Sequence, residues 1–288
     1  MIKSYNLETS ELSFHKKVYS NYIKTLNSIH PQLKECKPIL SGSAAVKLVI
    51  YPNADFNDLD FYFNSEEHYN NTKEFLLKNS FVFKTETRNC IVFSNKKEEE
   101  DIQLIKTFYG GYKNVITYHD FLNCSVAIEN NMLYLNLNAL KAWKNKELIL
   151  QNIQCNPSCY LNSKYNDLEI SNVLSYIANL MYRIQKYEDR YGLKLNSKSI
   201  EKLAPFKTYF TYLSTMQTFE KKDLLFCKVV YYGSATKDTA YQKYINDFIK
   251  LLKLPIKLRV TSVSDNKLTY RCQIKKHDWS FTNENLLF

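Results

Sequence analysis

The order of hydrophobic and polar positions at residues 38–63 predicts a short strand, a short helix and a second strand. Residues 38–40 form a brief apolar run, and residues 44–50 are mostly apolar, which favours a short helix. Residues 58–63 alternate between acidic and apolar side chains, as is typical of a strand with one polar and one buried face. The sequence Ser41-Gly42-Ser43 joins the first strand to the helix.

The rest of the chain divides into a part that mixes helices with strands and a part that is mainly helical. Helical periods occur at residues 10–29, 65–79, 138–146, 167–191, 197–217 and 238–253, and strand-like runs at residues 81–87, 89–93, 101–105 and 132–135. A polar stretch without a clear period at residues 151–166 marks a boundary. We therefore expect an α/β (α+β) head with a mixed sheet at residues 1–155. A mainly helical domain should follow at residues 156–288, ending in a small β tail that turns at Asp265-Asn266.

The 38–63 segment carries the clearest candidate chemistry. Asp58 and Asp60 lie two residues apart on the predicted strand, so their carboxylates face the same side and need a cation between them. Mg²⁺ suits such a pair because it prefers oxygen ligands and completes its shell with substrate phosphates. Gly42 permits a tight turn close to a ligand, and Ser43 can cap a helix whose free N–H groups attract anions. The alternative is structural: Gly42-Ser43 caps a helix and Asn57-Asp58 closes a turn.

Gly42-Ser43 followed by Asp58-Leu59-Asp60 resembles the signature of the polymerase-β-type nucleotidyltransferase superfamily, with a slightly longer spacer that carries Pro52 and Asn53. The resemblance implies transfer of a nucleoside monophosphate from an NTP to an acceptor hydroxyl, with two Mg²⁺ ions at the acids. It also implies a third carboxylate on a neighbouring strand. Asp101 is the first candidate, although it could simply end the acidic run at residues 98–100, and Asp120 is the second.

Residues 118–128 resemble an element of tRNA CCA-adding enzymes and bacterial poly(A) polymerases. The positions that match are Asp120, Phe121, Asn123 and Ala127, whereas His119 stands where that family prefers arginine. In the family this element helps to hold the sugar and phosphates of the incoming nucleotide. The resemblance therefore implies that Asp120 and Asn123 bind the nucleotide, the alternative being that His119-Asp120 starts a strand.

Residues 183–193 resemble the basic helix, ended by glycine, that follows the catalytic head in the same family. Arg183, Lys186 and Arg190 recur at helical spacing and predict one basic stripe, which could grip RNA or be a solvated face. The family's upstream Glu-Asp-x-x-Arg motif, which reads bases, is not visible in the sequence. Template-free selection of C and A is therefore not predicted.

The charge balance favours a polyanionic partner. The chain has 39 Lys and Arg against 29 Asp and Glu, a formal net charge of +10. Together with this charge, the resemblance to CCA-adding enzymes implies that the acceptor is an RNA 3′ end, such as that of tRNA. One rival is a minimal nucleotidyltransferase of the toxin–antitoxin or resistance type that modifies a protein or a small molecule. The other is a non-enzymatic RNA-binding protein.

The cysteines and the longest apolar runs indicate the compartment. The 7 cysteines are odd in number and scattered, as in a reduced protein, and their spacing with histidine does not fit a zinc site. The chain lacks an apolar run of the roughly 18 residues that a membrane helix needs. We expect a cytoplasmic protein without a membrane partner.

Overall fold

The computed structural model describes residues 2–50, 58–87, 89–94, 101–155, 157, 167–216, 224–232, 238–254, 256–264 and 267–275. Contacts between Cα atoms divide the chain into two compact units, Met1–Asn152 and Ile153–Phe288. The predicted loop at Pro52 and Asn53 and the predicted turn at Asp265-Asn266 lie outside the described residues. Folding of the head and the C-terminal part as separate domains, with the boundary at residue 155, stays a prediction.

The first unit mixes strands and helices. Its strands are β1 (Ile2–Asn6), β2 (Ile39–Ser41), β3 (Asp58–Tyr62), β4 (Val82–Glu86), β5 (Cys90–Ser94), β6 (Asp101–Ile105), β7 (Val126–Glu129), β8 (Met132–Asn136) and β9 (Glu147–Leu148). Its helices are α1 (Ser13–Ile29), α2 (Gly42–Ile50), α3 (Glu66–Lys78), α4 (Tyr112–Tyr118) and α5 (Leu137–Lys144), with 3-10 turns at Leu33–Cys36 and Leu122–Cys124.

Within the described residues of this unit, one eight-stranded sheet runs in the order β1-β8-β7-β2-β3-β6-β5-β4. β3 and β6 pair in parallel, and the other neighbouring strands pair antiparallel. The parallel pair needs a long crossover, which α3, β4 and β5 provide. The sheet is therefore mixed, as the sequence predicts, and β2, β3 and β6 lie in its middle.

Alternation along the central strands separates a packed face from an open one. Leu59 and Phe61 of β3 are completely buried, as is Leu40 of β2. Full burial of large apolar side chains gives the sheet most of its stability, roughly 1.5–3 kcal/mol for each side chain removed from water. The intervening residues of β3, Asp58 and Asp60, remain partly exposed.

The second unit contains α6 (Asp167–Tyr191), β10 (Lys194–Leu195), α7 (Ser197–Glu201), α8 (Ala204–Met216), β11 (Leu224–Tyr232), α9 (Asp238–Leu252), β12 (Ile256–Ser264) and β13 (Lys267–Lys275). α6 ends at the predicted glycine, since Gly192 has a φ of +66° that favours glycine after a helix. β13 pairs antiparallel with both β11 and β12. The predicted fold class, a mixed α/β head followed by helices and a small β tail, is confirmed.

The single helix predicted at residues 197–217 is instead two helices. α7 begins after Asn196, whose side chain accepts a hydrogen bond from Ser199 N, and it ends at Glu201. Pro205 is the second residue of α8. Proline lacks an N–H group and is tolerated only in the first turn of a helix, so it starts a new helix there instead of continuing the first.

Among the described helices, none has the length and apolar character that crossing a membrane requires.

Candidate active site

The turn between β2 and α2 brings Gly42 against a carboxylate. Gly42 has a φ of +74°, and a Cβ atom added to it would lie 2.9 Å from Asp60 Oδ2 and 3.8 Å from His119 Cε1. Only glycine fits this position without strain or displacement of Asp60. The sequence predicts a helix from about residue 44 with Ser43 as its cap, whereas α2 begins at Gly42. Ser43 therefore lies within the first turn and is not the cap.

Strand register brings the candidate acids together on the open face of the sheet. Asp60 is paired with Ser41 of β2, and Asp58 is paired with Asp101 of β6. Neighbouring strands lie about 4.8 Å apart, so Asp58 and Asp101 are side by side. All three carboxylates are partly exposed, whereas their apolar neighbours Leu59 and Ile102, on the opposite face, are buried.

Two ion pairs cross the outer strands of the sheet. Lys84 of β4 pairs with Asp101 Oδ1, and Lys106, which follows β6, pairs with Glu86 Oε1. The hydrogen bond from Lys106 lowers the pKa of the Glu86 carboxyl. Lys84 was not identified from the sequence, because nothing local to residues 81–87 shows that its partner lies two strands away.

The buried side chain of His119 packs beside the Gly42 turn and forms a hydrogen bond with Ser41, the residue before Gly42. Ser41 Oγ donates to the carbonyl of Val126 at 2.6 Å and lies 2.8 Å from His119 Nε2. Because the serine hydroxyl has one hydrogen, which goes to Val126, His119 Nε2–H is the donor in the second bond. His119 is 5% exposed and packs edge-on against Tyr62. It therefore fixes the turn by packing and hydrogen bonding.

Asp120 lies in the loop that follows α4, and Asn123 lies in the 3-10 turn after that loop. Asp120 is nearly buried, and its backbone carbonyl accepts hydrogen bonds from Gln151 N at 2.6 Å and Asn152 N at 3.1 Å. The fully buried Asn123 donates from Nδ2 to Glu147 O at 2.8 Å and accepts from Ile149 N at 3.0 Å. Nucleotide binding by either residue stays a prediction, and so does the choice between Asp101 and Asp120 as third carboxylate.

Replacing Asn123 tests its structural role. Asn123→Ala should lower the free energy of unfolding by about 1–3 kcal/mol, because it leaves the partly buried Glu147 carbonyl and Ile149 N–H without their hydrogen-bond partner. Chemical denaturation of the two proteins measures this loss. The exposed Asn138→Ala is the matched control. Unchanged stability together with a large loss of nucleotide affinity would show that Asn123 serves the nucleotide instead.

The predicted basic stripe lies on α6. Arg183 and Lys186 are partly exposed and Arg190 is exposed, while Ile184 and Tyr187 on the adjoining face of the helix are buried. The three cations are three and four residues apart, so they follow one side of the helix. This arrangement can contact successive phosphates of a nucleic acid.

The donors of the site fit Mg²⁺ by their chemistry. Asp58 and Asp60 are carboxylates on one strand face, and both are partly exposed. Mg²⁺ is usually bound by one or two carboxylates together with substrate phosphates, so the pair is a sufficient protein contribution. Among the described residues, no group of three or more His, Cys, Asp or Glu side chains is already arranged to hold a metal ion.

A family model matches the part of the chain that contains the candidate site. Residues 13–146 match the model of the Gabija anti-defense 2 family protein. This range is just under half of the chain, and it contains the Gly42 turn and all the candidate acids. No curated protein sequence matches the chain.

Several solved structures are similar over much of the chain at low identity. A CCA-adding enzyme with CTP has a TM-score of 0.46 and 11% identity, covering 86% of this chain and 56% of its own. A tRNA-processing enzyme without ligand has a TM-score of 0.43 and 12% identity, covering 81% and 57%. A tRNA nucleotidyltransferase complexed with a primer tRNA and an incoming ATP analog has a TM-score of 0.38 and 12% identity, covering 75% and 57%. The chain thus spans little more than half the length of these proteins.

Proposed function

We propose that the protein is a Mg²⁺-dependent nucleotidyltransferase that moves a nucleoside monophosphate from an NTP to an acceptor hydroxyl. The observation that carries this proposal is the juxtaposition of three features on the open face of the sheet. Asp58 and Asp60 share a strand face, Asp101 is paired with Asp58, and the N-terminus of α2 begins against Asp60. Carboxylates suited to a metal therefore lie beside N–H groups suited to phosphates.

In the proposed site, Asp58, Asp60 and Asp101 hold the metal, and Gly42 N–H and Ser43 hold the β- and γ-phosphates of the NTP. Bound Mg²⁺ would lower the pKa of the acceptor hydroxyl and neutralise the leaving pyrophosphate. The chain's own contribution is to fix the geometry. Gly42 lets the backbone approach the phosphates, and the buried Ser41–His119 hydrogen bond holds the turn that carries Gly42. Positioning of this kind accounts for much of the catalysis in phosphoryl transfer.

The acceptor that the charge distribution favours is an RNA 3′ end. The net charge of +10 and the stripe on α6 support this choice, because phosphate contacts by Lys and Arg dominate affinity for nucleic acids. Such contacts are largely independent of base sequence. The second unit would hold the RNA backbone, and the first unit would carry out the transfer.

Charge reversal on α6 tests the RNA proposal. Lys186→Glu should weaken RNA binding for all sequences and reduce the slope of log K against log salt by about one unit, because one phosphate contact is lost. Affinity for NTP should stay near the wild-type value, since the proposed nucleotide site is in the other unit. The measurement is the RNA affinity at several salt concentrations of the wild type and of the three reversals Arg183→Glu, Lys186→Glu and Arg190→Glu. The exposed Lys198→Glu is the control.

If RNA binding is absent, or is insensitive to salt and to all three reversals, RNA is the wrong acceptor. The second candidate then becomes the favoured one, namely a nucleotidyltransferase that modifies a protein or a small molecule. The match of residues 13–146 to a Gabija anti-defense family supports the protein-modifying form of that candidate, because the family's name refers to action against a defence system. The protein would then modify a component of that system and inactivate it.

One experiment separates these proposals. The protein is incubated with each labelled NTP, Mg²⁺, total RNA and, in a parallel reaction, a lysate that contains the Gabija proteins. Label on RNA supports the first proposal, and label on a Gabija protein supports the second. If no acceptor is labelled by wild-type protein with any NTP, the transferase proposal is wrong and the non-enzymatic RNA-binding alternative gains.

A further inference from the structure

Lys84 reaches Asp101 across an intervening strand. β4 is the last strand of the sheet, and its pairing with β5 shifts register between Phe83 and Thr85, so Lys84 is the extra residue of a β-bulge. Bulges re-aim side chains and often occur beside active sites. Here the lysine spans β5 and forms an ion pair with Asp101 on β6.

The neighbourhood of Asp101 explains why a cation is needed there. Asp101 is paired with Asp58, and Asp60 follows on the same face of β3. Like charges on adjacent strand positions destabilise the sheet, so the carboxylates require a counter-ion even when no metal is bound. Lys84 supplies a positive charge to this cluster through its ion pair with Asp101.

The pair is also exposed enough to break. The side chain of Lys84 is 45% exposed and that of Asp101 33% exposed. Exposed pairs contribute little, because water and salt screen them and ordering a long side chain costs entropy. The lysine can therefore withdraw into solvent when a stronger cation approaches the carboxylate.

We infer that Lys84 is the counter-ion of Asp101 in the metal-free protein and that a divalent cation must displace it to bind there. This inference rests on the proposed function in taking Asp101 as a metal ligand. Lys84 is thus a positioning residue: it offsets the negative charge of Asp101 beside Asp58 before the metal binds, and it raises the metal concentration at which the site fills.

The test is a titration of the protein with Mn²⁺ alone, followed by calorimetry or electron paramagnetic resonance. Lys84→Met should bind Mn²⁺ about two- to fivefold more tightly than the wild type, which is the factor that corresponds to losing one exposed ion pair. Lys84→Arg, which can keep the pair, should restore the wild-type affinity. These measurements need neither nucleotide nor acceptor, so they do not depend on whether transfer occurs.

Lys106→Met is the matched control, since it removes the same charge and breaks the Lys106–Glu86 pair on the same strands. Its effect on Mn²⁺ affinity measures the general change in charge and should be smaller than that of Lys84→Met. A double-mutant cycle with Asp101→Asn isolates the part of the change in Mn²⁺ affinity that comes from the Lys84–Asp101 pair itself. In the Asp101→Asn background, Lys84→Met should change the affinity no more than Lys106→Met does.

Equal effects of Lys84→Met and Lys106→Met would overturn the inference. So would Mn²⁺ affinity that is insensitive to Asp101→Asn, or the absence of Mn²⁺ binding in the wild type. A different result would contradict the proposed function. In that case Mn²⁺ binding follows the expected pattern, but the protein labels no acceptor. Thermal melting of each variant shows that the comparison is between folded proteins.

Discussion

Asp60→Asn should reduce nucleotidyl transfer by roughly a thousandfold or more and leave the protein folded. The amide has nearly the same shape as the carboxylate but lacks the charge that attracts a metal ion. Loss of metal stabilisation of the transition state costs several kcal/mol, and each 1.36 kcal/mol corresponds to about tenfold in rate. Asp58→Asn should behave in the same way, because the two carboxylates share a strand face.

The measurement is single-turnover transfer from labelled NTP at saturating Mg²⁺, with thermal melting as the check on folding. Asp189→Asn provides a control, because Asp189 is exposed on α6 and accepts a hydrogen bond from Gln185 within the same helix. A well-folded Asp60→Asn protein that transfers at a nearly normal rate would remove this residue from the proposed site.

Gly42→Ala should lower transfer by about a hundredfold or more and destabilise the protein by only about 1–3 kcal/mol. A positive φ costs a residue other than glycine on the order of 1–3 kcal/mol. The added Cβ would also lie 2.9 Å from Asp60 Oδ2, so the carboxylate must move. Displacing a reacting group by about 1 Å can cost a hundredfold in rate even when the fold survives.

Gly192→Ala separates the two effects of Gly42→Ala, namely the backbone strain at a positive φ and the displacement of Asp60. Gly192 also has a positive φ, +66°, but a Cβ added there meets no described atom within 4 Å. The Gly192→Ala protein should therefore be less stable because of backbone strain alone, and its rate of nucleotidyl transfer should stay at the wild-type value. Parallel denaturation and kinetics of both variants make the comparison. If Gly42→Ala loses no more activity than Gly192→Ala, the close approach of Gly42 to Asp60 has no catalytic consequence.

Elements with strong local signals were predictable from sequence. α3 begins after Ser65, whose side chain accepts a hydrogen bond from His68 N, and α6 ends before Gly192, as their sequences indicate. The common face of Asp58 and Asp60 follows from strand alternation in the same way. In each case the decisive residues lie within a few positions of one another, so the pattern itself contains the geometry.

Elements that depend on distant partners were missed. β1 pairs with β8, and its residues are mostly exposed, so it has no apolar alternation of its own. β11 becomes a strand by pairing with β13, more than thirty residues later in the chain. The contacts of Lys84 with Asp101 and of Ser41 with His119 are likewise long-range, and the latter joins residues 78 positions apart. Register and tertiary packing determine such contacts, and a local pattern does not contain them.

The bond from Ser41 to the carbonyl of Val126 has a consequence for how the protein is made. It joins residues 85 positions apart in the chain, and β2 is paired on that side by β7. A ribosome therefore exposes the acids of β3 well before it has synthesised the strand that fixes the turn facing them. Long-range pairing of this kind is slow, because the entropy of closing the loop is lost before the contacts form. The nascent first unit should thus fold late and lack the geometry of the proposed site until β7 has left the ribosome.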